Sequence, residues 1–388
     1  VDAQRGRDEP HLRAVPDPSS GEALADAEPV VAAFDPARLT LARERSGLTK
    51  RDLATRVGVT AAVITQFERR QSRPSARTLS RLAGELGLPV TYFAAGRPVL
   101  PVAEEATHFR SLRTTRVYER RQARATMSHL AEAVRVIQTV VRLPEPRLPR
   151  HGTEPEAAAR SLRAHWGLPA GPVHHLVRLV EANGAVVSMA RFGAGERIDA
   201  FSCRPSGLDR PLICLSRDRG NPLRRRFSAA HELGHLLLHD EAEPGGRRHE
   251  HEANRFAAEF LMPAPEIASL LPARLDFAYL LEVQRAWGVS VQALLRRSRE
   301  LDRIGDDLYR RGMATLTRLG WRRDEPTAEY PTEWPALLAE AVGLGEEHGL
   351  TEQTIAARLR LPLTEVRELL SHVSDDRPRL TLVPGPAG

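Results

Sequence analysis

The stretch FSAAHELGHLLLHDE, residues 227–241, places His231 and His235 one helical turn apart, with Glu232 directly after the first. Side chains at i and i+4 share one face of a helix, so two imidazoles at this spacing can reach one divalent ion. A Glu one residue on can reach a water beside that ion. Zinc lowers the pKa of such a water toward ~7, and the carboxylate takes its proton during attack on a carbonyl. His231 and His235 are therefore candidate zinc ligands and Glu232 a candidate general base. The small and apolar residues around them in RRRFSAAHELGHLLLH, residues 224–239, suit a helix buried at an active site.

A third ligand is expected on the next helical pattern, EHEANRFAAEFLMP, residues 250–263. Ala253, Phe256, Ala257 and Phe260 fall on one packing face. Glu250 opens the helix and can ligate, and Asn254, one turn on, can orient a ligand from behind it. His249, His251 and Glu252 flank Glu250 and would replace it under a small shift of register. His239 extends the stripe of His231 and His235, but residues i and i+8 stand ~12 Å apart on a straight helix, too far to share one ion. It reads as an outer partner of a ligand or as a surface histidine.

Upstream, LTLARERSGLTKRDLATRVGVTAAVITQFERRQSRPSARTLSRLAGELGLPVTYF, residues 39–93, is the most regular part of the chain. Leu39 and Ala42 face a first helix inward, and the helix stops at Gly47. Thr49 caps a second helix with Leu53, Ala54 and Val57 inward. Gly58 allows a tight turn, and Thr60 caps a third helix that buries Val63, Ile64 and Phe67. After Pro74 and Ser75, residues Leu79, Leu82, Ala83 and Leu86 form a further apolar face. Two helices joined by about four residues around a Gly is helix-turn-helix spacing.

This block resembles the XRE family of lambda-repressor-like DNA-binding domains. The resemblance implies a double-stranded DNA operator as partner, bound by a homodimer. The start of the second motif helix would enter the major groove, bringing Thr60, Ala61, Ala62, Thr65 and Gln66 to base edges. Gln66 suits adenine best. Arg43, Lys50, Arg51, Arg56, Arg69, Arg70 and Arg73 are candidates for phosphate contacts. The block from about Phe227 to Pro263, with Arg226 before it, resembles the ImmA/IrrE family of zinc metallopeptidases. FRSLR, residues 109–113, after the XRE-like module fits the same arrangement. The resemblance implies a gluzincin-like site with His231, His235 and Glu250 on Zn2+ and Glu232 as base. It also implies a regulatory protein as substrate, typically a repressor. Arg226, Tyr279 and His165 are candidates for stabilising a transition state.

The expected fold is mainly α with a small β-sheet: an all-α N-terminal helix-turn-helix, a zincin-like domain and C-terminal helices. The apolar runs AVVSM (185–189) and PLICLS (211–216) supply strands. The boundaries read as an unstructured segment 1–33, a helix-turn-helix domain 34–96 and a basic helical connector with Pro-rich linker 97–154. A peptidase-like domain 155–300, a helical region 301–377 and a loose tail 378–388 follow. In the C-terminal part, LTEQTIAARLRLPLTEVRELL (350–370) reads as a helical hairpin in preference to a second helix-turn-helix.

The 388 residues carry a net charge of +6, which suits an anionic partner, although lysine occurs once and arginine dominates. No apolar run approaches a membrane span and the first residues lack the apolar core of a signal peptide. Two cysteines are too few for a disulfide framework. A cytoplasmic protein is expected, with both cysteines as buried apolar residues and with Trp166 and Trp287 in the core. Two function classes follow: a DNA-binding regulator with a zinc endopeptidase that cuts a repressor or its own linker 144–155, and a ligand-sensing transcription factor whose peptidase-like domain is inactive. A mobile-element regulator acting by protein contacts is a third.

Overall fold

The computed structural model describes residues 21–97, 99, 100, 102, 107–109, 116–149, 154–191, 198–217, 221–239, 246–322, 324–326 and 330–370. The chain divides into two compact units, Val1–Val99 with Arg360–Pro362, and Leu100–Leu359 with Leu363–Gly388.

In the first unit, helices Pro36–Arg45, Lys50–Val57, Ala61–Glu68 and Ala76–Leu86 follow the expected pattern. Thr49 and Asp52 form a reciprocal capping box, while Thr60 and Ser75 cap the next two helices through their hydroxyls. Gly58 takes φ +69°, a left-handed turn open to glycine, and a Cβ there would lie 2.9 Å from Arg81 Nη2. Leu39, Leu53, Val57, Ile64, Leu79 and Leu82 are buried, whereas Val63 is only half-buried. The expectation of an unstructured 1–33 needs correction. Helix Gly21–Ala32 buries Ala27 and Val30 and packs against Ala76–Leu86. The segment's acidic and proline content concealed an apolar stripe; residues 1–20 lie outside the described residues.

The second unit is built on a four-stranded sheet in the order β1-β3-β4-β2, with β1 Thr107–Phe109, β2 Val186–Ala190, β3 Ala200–Cys203 and β4 Leu212–Ser216. β2 runs parallel to β4, and the other two pairings are antiparallel. Both expected strands are therefore present as neighbours, and the short strands β1 and β3 complete the sheet. Helix Pro222–Leu238 packs against β3 and β4, and helix Arg247–Leu261 packs against it in turn. Val187, Met189, Ile213 and Leu215 join Ala230, Leu233, Phe256 and Phe260 in one core.

Within residues 97–154, expected as a connector, the described stretch 116–149 packs into the second unit. Helix Val117–Gln138 buries Met127, Leu130, Val134 and Ile137 and packs against β4 and helices Leu337–Gly345, Glu352–Leu359 and Leu363–Leu369. The described residues of the Pro-rich segment are likewise held in place. Arg147 N donates to Asn183 O, Trp166 Nε1 donates to Arg147 O at 2.7 Å, Arg210 Nη1 donates to Pro144 O at 2.8 Å, and Leu143 and Leu148 are buried. Proline without a donor prevents helix but not burial, so composition misplaced this boundary. The hairpin of 350–370 is present as two short helices whose apolar residues Ile355, Leu359, Val366 and Leu369 are buried. Trp166 and Trp287 are core residues, and Cys203 and Cys214 are buried free thiols pushed well above the ordinary thiol range by burial. The tail 378–388 lies outside the described residues.

Candidate metal centre

Asn221 caps helix Pro222–Leu238 by accepting from Arg224 N, with Pro222 at its first turn. The helix buries His231, Glu232, Gly234 and His235. Gly234 has a packing reason: a Cβ there would lie 2.9 Å from Phe256 Cδ1. The close approach of the two helices is what brings Glu250 opposite the histidines.

Three ligand atoms converge. His231 Nε2 and His235 Nε2 are 3.0 Å apart, His235 Nε2 lies 3.2 Å from Glu250 Oε1, and His231 Nε2 lies 3.6 Å from Glu250 Oε2. A tetrahedral zinc with bonds of ~2.05 Å spaces its ligands by ~3.3 Å, so this donor set fits the ion in spacing as well as in chemistry. Asn254 Oδ1 sits 3.2 Å from His231 Nδ1, and Asn254 Nδ2 donates to Glu250 O at 2.7 Å. Asn254 thus joins both helices of the site. Of the flanking alternatives, Glu252 turns away to His239 Nε2 at 2.9 Å, and His249 packs its ring 4.5 Å from that of His239. His239, His249 and Glu252 form a second group of potential donors.

Glu232 is fully buried and accepts from Ser202 Oγ on β3 at 2.7 Å. Ser202 escaped the sequence reading. Its one signal is a hydroxyl between Phe201 and Cys203 in a strand that is buried throughout. Burial depresses the basicity of His239. Arg226 is structural: its guanidinium donates to Gly288 O and Val173 O, pairs with Glu333 and lies over the Tyr330 ring. Tyr279 packs on the core, and His165 O accepts from Arg147.

A cavity of about 310 Å³ backs onto the site, with Asn254, Phe227, Arg224, Arg296, Trp321 and Glu325 in its wall. Burial raises Glu325 to about 7.

In the first unit, Ala62, Gln66, Arg51, Arg69 and Arg70 are exposed, as is Thr60, whose hydroxyl caps the helix. Ala61 is half-buried, and Thr65 Oγ1 donates to Ala61 O at 3.0 Å. Arg43 departs from expectation. It is 4% exposed and donates Nε to Glu68 Oε1 at 2.6 Å and Nη1 to Leu48 O at 3.0 Å, so it braces the fold instead of facing a phosphate. Lys50 Nζ also reaches Glu68, at 3.1 Å, with its side chain partly exposed.

The architecture and donor set define a class: a helix-turn-helix DNA-binding domain joined to a metallopeptidase-like domain. Residues 39–93 match the Helix-turn-helix family, and residues 181–299 match the IrrE N-terminal-like domain of the M78 peptidases. No curated protein matches the chain. Among the described residues, no helix is long and apolar enough to cross a membrane.

Proposed function

We propose that the chain is a DNA-binding transcriptional regulator whose second unit is a zinc-dependent endopeptidase acting on a regulatory protein, typically a repressor, in response to a signal. The observation that carries this reading is the convergence of His231, His235 and Glu250 at tetrahedral spacing on two helices held together through Gly234. When bound, zinc supplies Lewis acidity and makes an attacking water acidic near neutral pH. Glu232, its carboxylate oriented by the Ser202 hydroxyl, would be the group to accept a proton from the attacking water. Asn254 orients His231. The first unit holds an operator as a homodimer, with Thr60, Ala61, Ala62, Thr65 and Gln66 toward bases and Arg51, Arg69 and Arg70 toward phosphates.

Cutting of its own segment 144–155 is disfavoured by the hydrogen bonds that hold residues 144–148, because a protease must extend its substrate. A second reading, a ligand-sensing regulator with no proteolysis, is favoured by the cavity that shares Asn254 with the metal centre. The test is metal content and substrate cleavage for the wild type, His231→Ala/His235→Ala and Glu232→Gln. About one zinc per chain, lost in the double variant, supports the site. Cleavage and signal response lost in Glu232→Gln, with zinc and DNA binding kept, support the peptidase. A Glu232→Gln protein that responds normally favours the sensor.

A further inference from the structure

We propose that His239, Glu252 and Arg248 form a directed chain of hydrogen bonds that fixes His235 in the tautomer a metal ligand requires. This rests on the reading of His231, His235 and Glu250 as a metal site.

His235 turns Nε2 toward His231 and Glu250, so that nitrogen must offer a lone pair to the ion. A neutral imidazole that does so carries its proton on Nδ1. His235 Nδ1 lies 3.0 Å from His239 Nδ1, a distance that accommodates one proton between two nitrogens. His235 therefore donates and His239 accepts. His239 then keeps its own proton on Nε2, where Glu252 Oε2 stands 2.9 Å away as acceptor. The other carboxylate oxygen, Glu252 Oε1, accepts from Arg248 Nε at 2.7 Å. The direction of each of these bonds follows from the one before.

The surroundings suit the role. His239 is 3% exposed, so water competes little for its Nδ1. The His249 ring lies against it, tilted by 38°. A carboxylate behind a histidine raises the donor strength of the ligand it supports. The two ligands are thus backed differently: His231 by the neutral amide of Asn254, His235 by a histidine–carboxylate pair. A cation held by His239, His249 and Glu252 would need His239 Nε2 bare and its Nδ1 protonated. His235 and His239 would then meet N–H to N–H at 3.0 Å, or His235 would have to give up both ring protons. The chain is the arrangement that leaves the first site intact.

The test is zinc affinity of the full chain, measured by competition with a chromophoric chelator. His239→Phe keeps a buried ring without the acceptor and is expected to weaken zinc by ~10–100-fold. His239→Gln offers one oxygen to His235 and one amide to Glu252 and is expected to stay within ~3-fold of wild type. Glu252→Ala, a change near the surface, weakens zinc while preserving the fold, so the proposal stays testable if His239→Phe does not fold. Wild-type affinity in both His239→Phe and Glu252→Ala, with zinc lost in His231→Ala/His235→Ala, would overturn the chain alone. Two zinc ions per wild-type chain, of which His239 variants lose only one, would also overturn it. Zinc retained by the double variant would instead overturn the underlying site reading.

Discussion

Arg43 and Glu68 are each about nine-tenths or more buried and meet at 2.6 Å, and removing one partner of such a pair leaves the other charged in a low-dielectric environment. Lys50 Nζ, 3.1 Å from Glu68, would still face the carboxylate, so Arg43→Ala is expected to cost the first unit less than the ~3–5 kcal/mol of a fully unpaired buried charge, while leaving the salt dependence of DNA binding unchanged. Denaturant unfolding and a salt titration separate the two outcomes. Glu181 makes a different prediction. Its carboxylate accepts from Ala336 N and Leu337 N, yet burial pushes it up to about 7 from 4.5. The folded chain then holds a proton that the unfolded chain has released across that interval, so stability falls as pH rises from about 4.5 to 7. Glu181→Gln should flatten that slope, and an unchanged slope would assign it to other groups. The candidate pair of metal ligands His231 and His235 was legible because its spacing is local to one helix. Ser202 was not, because its partner Glu232 stands on a different element and only strand-on-helix packing joins them.

At the scale of elements, the helix Ala61–Glu68 presents Ala62 and Gln66 outward and seats Ile64 and Phe67 inward. Gln66→Ala is expected to relax preference at one base pair by about 1–3 kcal/mol, whereas Arg69→Ala or Arg70→Ala should weaken all sequences alike and lower the salt slope by about 1. Binding assays on operator and scrambled duplexes at several salt concentrations distinguish the two. Gly234→Ala tests the helix crossing at the candidate metal centre. Its methyl would push on Phe256, so a loss of about 1–3 kcal/mol together with weakened zinc is expected in thermal unfolding and chelator competition. Caps and apolar periods made the helices of 39–93 readable residue by residue. Helix Val117–Gln138 was readable as a helix, but not as part of the second unit, because its partners β4 and Glu352–Leu359 lie far along the chain. Helix Gly21–Ala32 was missed because Pro29 and its acidic residues masked Ala27 and Val30.

For the molecule as a whole, the two units give a calorimetric expectation. Each has its own core, so two unfolding transitions are expected. An ion bound at 100 times its dissociation constant stabilises its host by about 2.7 kcal/mol, so chelation should lower only the transition of the second unit. A shift of both transitions would show that the units unfold together. The matched stretch 181–299 is also smaller than the unit that contains it. Helices Val117–Gln138 and Leu363–Leu369 lie outside that stretch yet are joined by His129 Nδ1 and Glu365 Oε1 at 3.0 Å, with His129 buried. A single backbone break between residues 144 and 155 would therefore not set anything free. The fragment carrying the helix-turn-helix would stay clasped through Val117–Gln138, leaving a nicked protein that elutes as one species until a denaturant parts its two chains.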